Sequence, residues 1–188
     1  MIDKTTGIWD LETALSHGGH KHDEGIVKKI LQMYDQPKMI ADLGCGDGWY
    51  CKQLKEVWKD SIIHGYEGCV DMKTQGAYDD IFIIDLSLKR YVDIDYDFVL
   101  CIEVGEHMPE DKEQIFLNNI REFCHKHLIL SWAVPGQGGR FHVNEKPINY
   151  ITEEMLNRGF FINIPKTKVL RDSATLKWLR RTVTAYEL

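Results

Sequence analysis

The sequence has only five cysteines in 188 residues, at Cys45, Cys51, Cys69, Cys101 and Cys124. The number is odd and no two form a Cys-x-x-Cys pair. That argues against a disulfide framework and against a cysteine-rich zinc site, and it fits a reducing cytoplasm. Cations are also in deficit: 23 Lys and Arg stand against 29 Asp and Glu, a formal charge of −6. A general polyanion binder needs many cations to displace phosphate counterions, so nucleic acid is not the expected partner. No apolar run approaches the roughly 18 residues of a membrane span. The first 25 residues show no basic flank followed by an apolar stretch, so neither a membrane anchor nor a signal peptide is expected. Internal repeats, low-complexity segments and Pro/Gly-rich linkers are missing too, and the length suits one domain. What is present is 44% hydrophobic residues, 11% of the chain being aromatic, enough for a packed core. The expectation is one soluble, acidic, cytoplasmic domain.

Short apolar runs alternate with longer helical patterns, as they do in a parallel α/β sheet. Five runs read as buried strands: Lys38–Leu43, Ser61–Glu67, Asp80–Leu86, Asp97–Ile102 and His127–Trp132. Helices are predicted over Asp23–Tyr34, with Asp23 as its cap, over Gly48–Trp58 and over Pro109–Lys126. The second of these puts Tyr50 or Cys51, Leu54, Val57 and Trp58 on one face. A short helix from Thr152 to Asn157 is predicted, followed by two last strands at Phe160–Ile164 and Thr182–Leu188. Seven strands result.

The strongest local signal is Asp42-Leu43-Gly44-Cys45-Gly46-Asp47-Gly48, placed where a strand must turn into a helix. Glycines at alternate positions let a backbone come close to a ligand. A dinucleotide turn needs Gly-x-Gly-x-x-Gly, and here the third glycine comes one position early, with Trp49 where a small residue is required. A phosphate-cradling P-loop is excluded because no Gly-Lys-Ser/Thr follows. Glu67 ends the second predicted strand and can accept both ribose hydroxyls of an adenosine. Asp85 ends the third and can accept from an adenine amine. Both placements follow the rule that ligands bind outside the carboxyl ends of parallel strands.

These motifs, DLGCGDG, then Glu67, then IIDLS, then DFVLCIEVGEHMP, resemble the series of the class I S-adenosylmethionine-dependent methyltransferases. The resemblance covers about residues 37–135 and, loosely, the whole chain. It implies a doubly wound, Rossmann-like, mostly parallel seven-stranded sheet in the order 3-2-1-4-5-7-6, the seventh strand reversed. It divides the chain into an N-terminal lid and helix (1–36), a cofactor-binding core (37–135) and a substrate-side loop with the last strands (136–188). It implies S-adenosylmethionine as methyl donor. Asp42, Gly44 and Gly46 would hold its methionine end with Cys45 in the same turn, Glu67 its ribose, and Asp85 and the backbone of Leu86 its adenine. Glu103, after the fourth strand, completes the set. Gly68 departs from the family pattern, in which a larger apolar residue packs on adenine.

Methyl transfer from a sulfonium is an in-line displacement, so the protein must align the nucleophile and, for a hydroxyl, accept its proton. The fourth strand leads into Glu103, Glu106 and His107, and His107 titrates ordinarily near working pH. The segment after the fifth strand, Ser131 to Asn144, reads as a flexible Gly-rich loop leading to His142 and Asn144 at a carboxyl strand end, where a substrate loop belongs. Glu106, His107 and His142 are thus the catalytic candidates. With no Asn/Asp-Pro-Pro-Tyr/Phe motif there, the chain does not look like an adenine- or glutamine-N-methyltransferase. O-methylation of a small-molecule acceptor, without a metal, is the leading expectation.

Two alternatives stay open. Glu103, Glu106, His107 and His142 are similar to the Glu-Glu-His-His set of metal-dependent enzymes that methylate the terminal 2′-hydroxyl of small RNAs. A donor-binding partner subunit without catalysis would carry the same glycine turn. Two other features divide in the same manner. His17, His20 and His22 read as part of a lid, as packing or as a metal cluster. Six cations between Lys166 and Arg181 read as a solvated face or as a surface that meets an anionic substrate.

Overall fold

The computed structural model describes residues 1–16 and 20–188. Seven strands form one sheet: β1 (Met39–Leu43), β2 (Ile62–Glu67), β3 (Ile81–Ile83), β4 (Tyr96–Cys101), β5 (Cys124–Leu130), β6 (Phe161–Ile162) and β7 (Thr184–Glu187). Their order is β3-β2-β1-β4-β5-β7-β6, as expected. The first five are parallel neighbours, and β7 runs antiparallel to both β5 and β6.

Side chains alternate across a strand, and both faces of this sheet are covered. Ile40, Phe98, Leu100 and Ile129 point to one face, where they meet α2 (Glu24–Met33), α3 (Trp49–Val57), α7 (Ile164–Ser173) and α8 (Leu179–Thr182). Ala41, Leu43, Val99, Cys101 and Leu128 point to the other, against α5 (Glu113–Phe123) and α6 (Ile148–Leu156). Two small helices complete the set, α1 (Leu11–Leu15) and α4 (Met72–Gln75). The five cysteines are free and buried. No described helix is long and apolar enough to cross a membrane.

Several boundaries differ from the sequence expectation. β3 stops at Ile83 because Asp85 turns the chain, its Oδ1 accepting from Ser87 N at 2.8 Å. β5 begins at Cys124, in the segment expected to be helical, and α5 begins at Glu113 after a 3-10 turn over Glu110–Lys112. The helix expected from Thr152 starts at Ile148, directly after Pro147, whose fixed φ suits a helix start. Its buried face is Ile151 and Met155, one turn apart.

The strand expected over Phe160–Ile164 ends at Ile162. Asn163 then caps α7, accepting from Lys166 N at 2.9 Å, with Pro165 in the first turn. β6 and β7 are therefore partners across two intervening helices. Val57, expected on the buried face of α3, is exposed, while Tyr50, Cys51, Leu54 and Trp58 are buried.

Candidate active site

A cavity of about 690 Å³ opens at the carboxyl ends of the central strands. The glycine turn after β1 forms its floor. Gly44, Gly46 and Gly48 all have positive φ, at 71°, 58° and 76°. The turn is tied to β2, because Tyr66 O accepts from Gly44 N at 2.8 Å and from Cys45 N at 3.0 Å. Glu67 ties it a second time: Oε2 accepts from Gly46 N at 2.9 Å, and Oε1 accepts from Gly68 N and Cys69 N at 2.9 and 3.0 Å. Asp42 lies beneath, 2% exposed, with Cys51 Sγ donating to its Oδ2 at 3.6 Å. Burial raises its pKa to about 7.

The N-terminal segment roofs this floor by direct contact. A Cβ on Gly46 would stand 2.7 Å from the His20 ring, and one on Gly68 would stand 2.6 Å from Ile8 Cγ1. Trp9 stacks on His20 with ring centroids 5.7 Å apart and meets the edge of His107 at 4.9 Å. His22 Nε2 approaches Asp47 Oδ1 to 3.0 Å and the His22 ring stacks on Trp49 at 4.7 Å. His20 and His22 thus have packing and hydrogen-bond partners at the turn. His17 lies outside the described residues.

The side of the cavity that carries the catalytic candidates is built by the chain that leaves β4. Glu103 has φ 57°, a left-handed conformation rare outside glycine and costly by about 1–3 kcal/mol. Ser131 stabilises it: Glu103 N donates to Ser131 Oγ at 2.9 Å, and that hydroxyl donates to Oε1 at 2.8 Å. Gln137 Nε2 donates to Oε2 at 2.9 Å, so both carboxylate oxygens are engaged. Glu106 follows, fully buried, and neither of its oxygens has a hydrogen-bond partner among the described residues. Burial, then the charge of Glu103, raises its pKa far above the ordinary carboxylate range.

The Gly-rich segment lies against this turn, and it is held rather than free. Val143 N and Asn144 N both donate to Glu106 O, at 2.9 and 3.0 Å. Glu145 accepts from Gly136 N and Gly138 N at 2.7 and 2.9 Å. Asn144 is fastened twice, through its carbonyl to Trp132 Nε1 at 2.6 Å and through its Nδ2 to the buried Glu113 at 2.9 Å. This brings His142 Nε2 to 4.0 Å from Glu106 Oε1, while His142 Nδ1 sits 3.0 Å from Glu145 Oε1. His107 Nδ1 sits 3.3 Å from Phe141 O. In each imidazole Nδ1–H is therefore the donor. Burial and the neighbouring His142 push His107 down to about 4, so it is a weaker base than its residue type suggests.

All the expected cofactor and catalytic residues line the cavity except Asp85. Its carboxylate caps the turn at Ser87, and Ile84 and Leu86 line the cavity in its place. Glu106, His107 and His142 offer ligand atoms within 4.8 Å of one another; Glu103 is not part of that group. Sequence reasoning does not single out Glu113 or Glu145. The only sign of Glu113 there is an acid at the head of an otherwise ordinary amphipathic helix.

No family model matches the chain, and no curated protein matches it. Solved structures do. Magnesium protoporphyrin IX methyltransferase (ChlM) from Synechocystis, with bound SAH, superimposes with a TM-score of 0.63 at 17% identity, over 87% of this chain and 80% of that one. A TehB-like SAM-dependent methyltransferase from Corynebacterium glutamicum gives 0.60 at 17% identity, over 90% and 89%. The methyltransferase domain of bacterial CtHen1-C gives 0.63 at 16% identity, over 86% and 96%. The chain has the Rossmann-like methyltransferase fold.

Proposed function

We propose that the chain is an S-adenosylmethionine-dependent methyltransferase that methylates a hydroxyl oxygen of a small-molecule acceptor. The observation that carries this reading is the convergence, on one roofed cavity, of the Gly44–Gly48 turn, Asp42, Glu67 and the Glu106–His107–His142 group. Asp42, Gly44, Cys45 and Gly46 hold the methionyl end of the donor, Glu67 the ribose, and Leu86 with Ile84 the adenine edge. Asp85 acts by shaping the turn that presents Leu86. Ile8, seated on Gly68, supplies the apolar surface that Gly68 lacks. Glu103 borders the donor and shapes the wall.

The acceptor oxygen attacks the methyl carbon, and the carbon–sulfur electron pair remains on sulfur. The hydroxyl proton goes to Glu106. The ionised form of Glu106 is the acceptor. Burial makes that carboxylate a stronger base than an ordinary one while reducing the share that is ionised, so turnover should rise with pH. No hydrogen bond from the described residues competes for its oxygens. His107, neutral through most of the working range, orients the hydroxyl. His142, fixed by Glu145, bears on Glu106. Binding of SAH with a one-to-one stoichiometry, followed by release of SAH from S-adenosylmethionine with a panel of hydroxylated acceptors, tests the proposal. Absence of SAH binding sinks it; binding without turnover on any acceptor points to a donor-binding partner subunit.

A second reading is favoured by one feature. A fully buried carboxylate without a hydrogen bond stands beside two imidazoles whose Nδ1 atoms are each tied to an oxygen acceptor. That is how histidines are oriented for a metal. Glu106, His107 and His142 fit a divalent cation, which would supply Lewis acidity to an acceptor hydroxyl, including that of a diol or an RNA terminus. Glu103 drops out of the four-residue set because Ser131 and Gln137 occupy its oxygens. Turnover that survives EDTA removes this reading; loss with EDTA and recovery with Mn²⁺ or Mg²⁺ selects it.

A further inference from the structure

The six cations between Lys166 and Arg181 separate into two groups once their partners are known. Lys166 pairs with Glu187 at 2.8 Å and lies over the Tyr34 ring, and Lys168 pairs with Asp172. Arg171 donates to Val183 O at 2.8 Å and to Thr184 Oγ1 at 3.0 Å. Arg180 donates to Ala174 O at 2.8 Å. Lys177 and Arg181 have no acidic partner among the described residues, and both line the cavity. Lys21, which lines the same cavity, has no acidic partner among them either.

The element that carries these cations is rigid. The fully buried Asp23 accepts at Oδ2 from Thr175 N and Leu176 N, both at 2.8 Å, while its Oδ1 caps α2 at Ile26. Leu179, fully buried, anchors the corner from the other side. Lys177 and Arg181 are exposed, so solvent satisfies their charges. Arg171 and Arg180 also lack an acidic partner but donate to carbonyl oxygens. What sets Lys177 and Arg181 apart is that their side chains line the cavity with no hydrogen-bond partner among the described residues. The corner leads into β7, whose Thr184 pairs with Leu130 at the carboxyl end of β5. The cations therefore reach the cavity from the β5–β7 side, across the sheet from Glu67 and Leu86.

Resting on the methyltransferase reading, we propose that Lys177 and Arg181, with Lys21, bind an oxyanion of the methyl acceptor. The acceptor is then a hydroxylated compound bearing a carboxylate or phosphate group. That group seats on the α7–α8 corner while the hydroxyl reaches Glu106. Trp178, half-buried between the two cations in sequence and lining the same cavity, supplies an apolar wall beneath it. The net charge of −6 makes such a pair the means by which an anion is admitted to an otherwise acidic cleft.

The test uses the full chain, saturated with SAH, and titrates it calorimetrically with pyrophosphate, with citrate and with neutral glycerol. Saturable binding of pyrophosphate or citrate, but not glycerol, is expected. Its dissociation constant should rise at least tenfold in Lys177→Gln/Arg181→Gln and stay within twofold in the charge-matched Lys29→Gln/Lys168→Gln. The tighter of the two anions identifies phosphate or carboxylate as the acceptor group. Lack of saturable anion binding, or an equal loss in the charge-matched variant, overturns the proposal. So does a loss of SAH affinity in Lys177→Gln/Arg181→Gln, which would assign the cations to the donor's own carboxylate. If SAH does not bind even the unmodified protein, the methyltransferase reading fails instead, and titration of the ligand-free protein still reads the cation pair.

Discussion

Oε1 of Glu106 lies 4.0 Å from Nε2 of His142, across a gap that no hydrogen bond of the carboxylate fills. The two residues are 36 positions apart and meet because Glu106 O accepts from both Val143 N and Asn144 N. Glu106→Gln keeps the shape and removes the proton acceptor. We expect kcat to fall about 100-fold or more with the dissociation constant for SAH unchanged, measured by SAH release and calorimetry. An equal loss of SAH affinity would place Glu106 in the donor site instead.

Glu67 serves the floor of the cavity in two ways, as backbone acceptor for Gly46, Gly68 and Cys69 and as the proposed ribose ligand. Glu67→Ala should weaken SAH binding by roughly 10- to 100-fold, the value of one or two hydrogen bonds to a charged group. Thermal melts should show Tm lowered as well, since three backbone donors lose their acceptor. Unaltered SAH affinity would refute the ribose assignment.

Gly68 and Ile8 supply a sharper test of the roof. A Cβ at position 68 would stand 2.6 Å from Ile8 Cγ1, so Gly68→Ala must displace the N-terminal segment. SAH should dissociate several-fold faster from Gly68→Ala in stopped-flow measurements. The double variant Gly68→Ala/Ile8→Ala relieves the clash and should recover part of that loss. Simple additivity of the two single effects would mean that the contact is not the cause.

On the proposed donor site, Asp42 should make donor binding depend on pH. Its pKa is about 7 in the folded chain against an ordinary value of 3.8, so the folded chain retains a proton that the unfolded chain has already released between those values. Asp42's own contribution to the stability of the ligand-free protein therefore falls as pH rises from about 4 to 7 and levels off above that. It is read as the difference between parent and Asp42→Asn, because Glu103, Glu106 and His107 are shifted as well. Binding of the donor's ammonium group favours the ionised carboxylate, so SAH affinity should rise across pH 5.5 to 7 and then flatten. Asp42→Asn should remove Asp42's share of the stability slope, abolish the slope in SAH affinity and raise Tm at pH 8 by roughly 5 °C, while weakening SAH binding. An unchanged pH profile in the variant would remove Asp42 from the account.

Glu113 sits away from the cavity, yet it accepts from Asn144 Nδ2 at 2.9 Å and from the Tyr150 hydroxyl at 2.5 Å, and it pairs with Lys146 at 3.2 Å. It is a positioning residue for the segment that carries His142. Glu113→Gln should lower Tm and reduce kcat, with SAH affinity within twofold of the parent. A variant that loses stability alone, with kcat intact, would show that His142 is placed without it.

The glycine-turn half of the cavity is legible in the sequence because it is local. Asp42 to Gly48 is one continuous turn, and Glu67 ends the strand that pairs with β1, so spacing alone brings them together. At Asp85 a three-residue strand ends early, and an Asx turn engages one carboxylate oxygen with Ser87 N, so that Ile84 and Leu86 line the cavity and Asp85 does not. α7 is hidden from a sequence reading although Asn163 and Pro165 mark its start, because Phe160–Ile164 reads equally well as a strand. His107 is overrated as a base for a different reason. Sequence supplies the ordinary titration range of an imidazole, but burial and His142 move it to about 4.

By itself the sequence determined the alternation of strands and helices, the left-handed glycine turn and the acids at the strand ends. These follow from side-chain period and from local backbone sterics, which act over a few residues. Only the tertiary structure decided which acid is left without a partner, which histidine tautomers result, and which two of six cations face the cavity. Those outcomes depend on desolvation and on partners far along the chain, such as Asp23 holding Thr175 and Leu176. A hydrogen bond or an ion pair has no signature in sequence until the fold brings its two ends together.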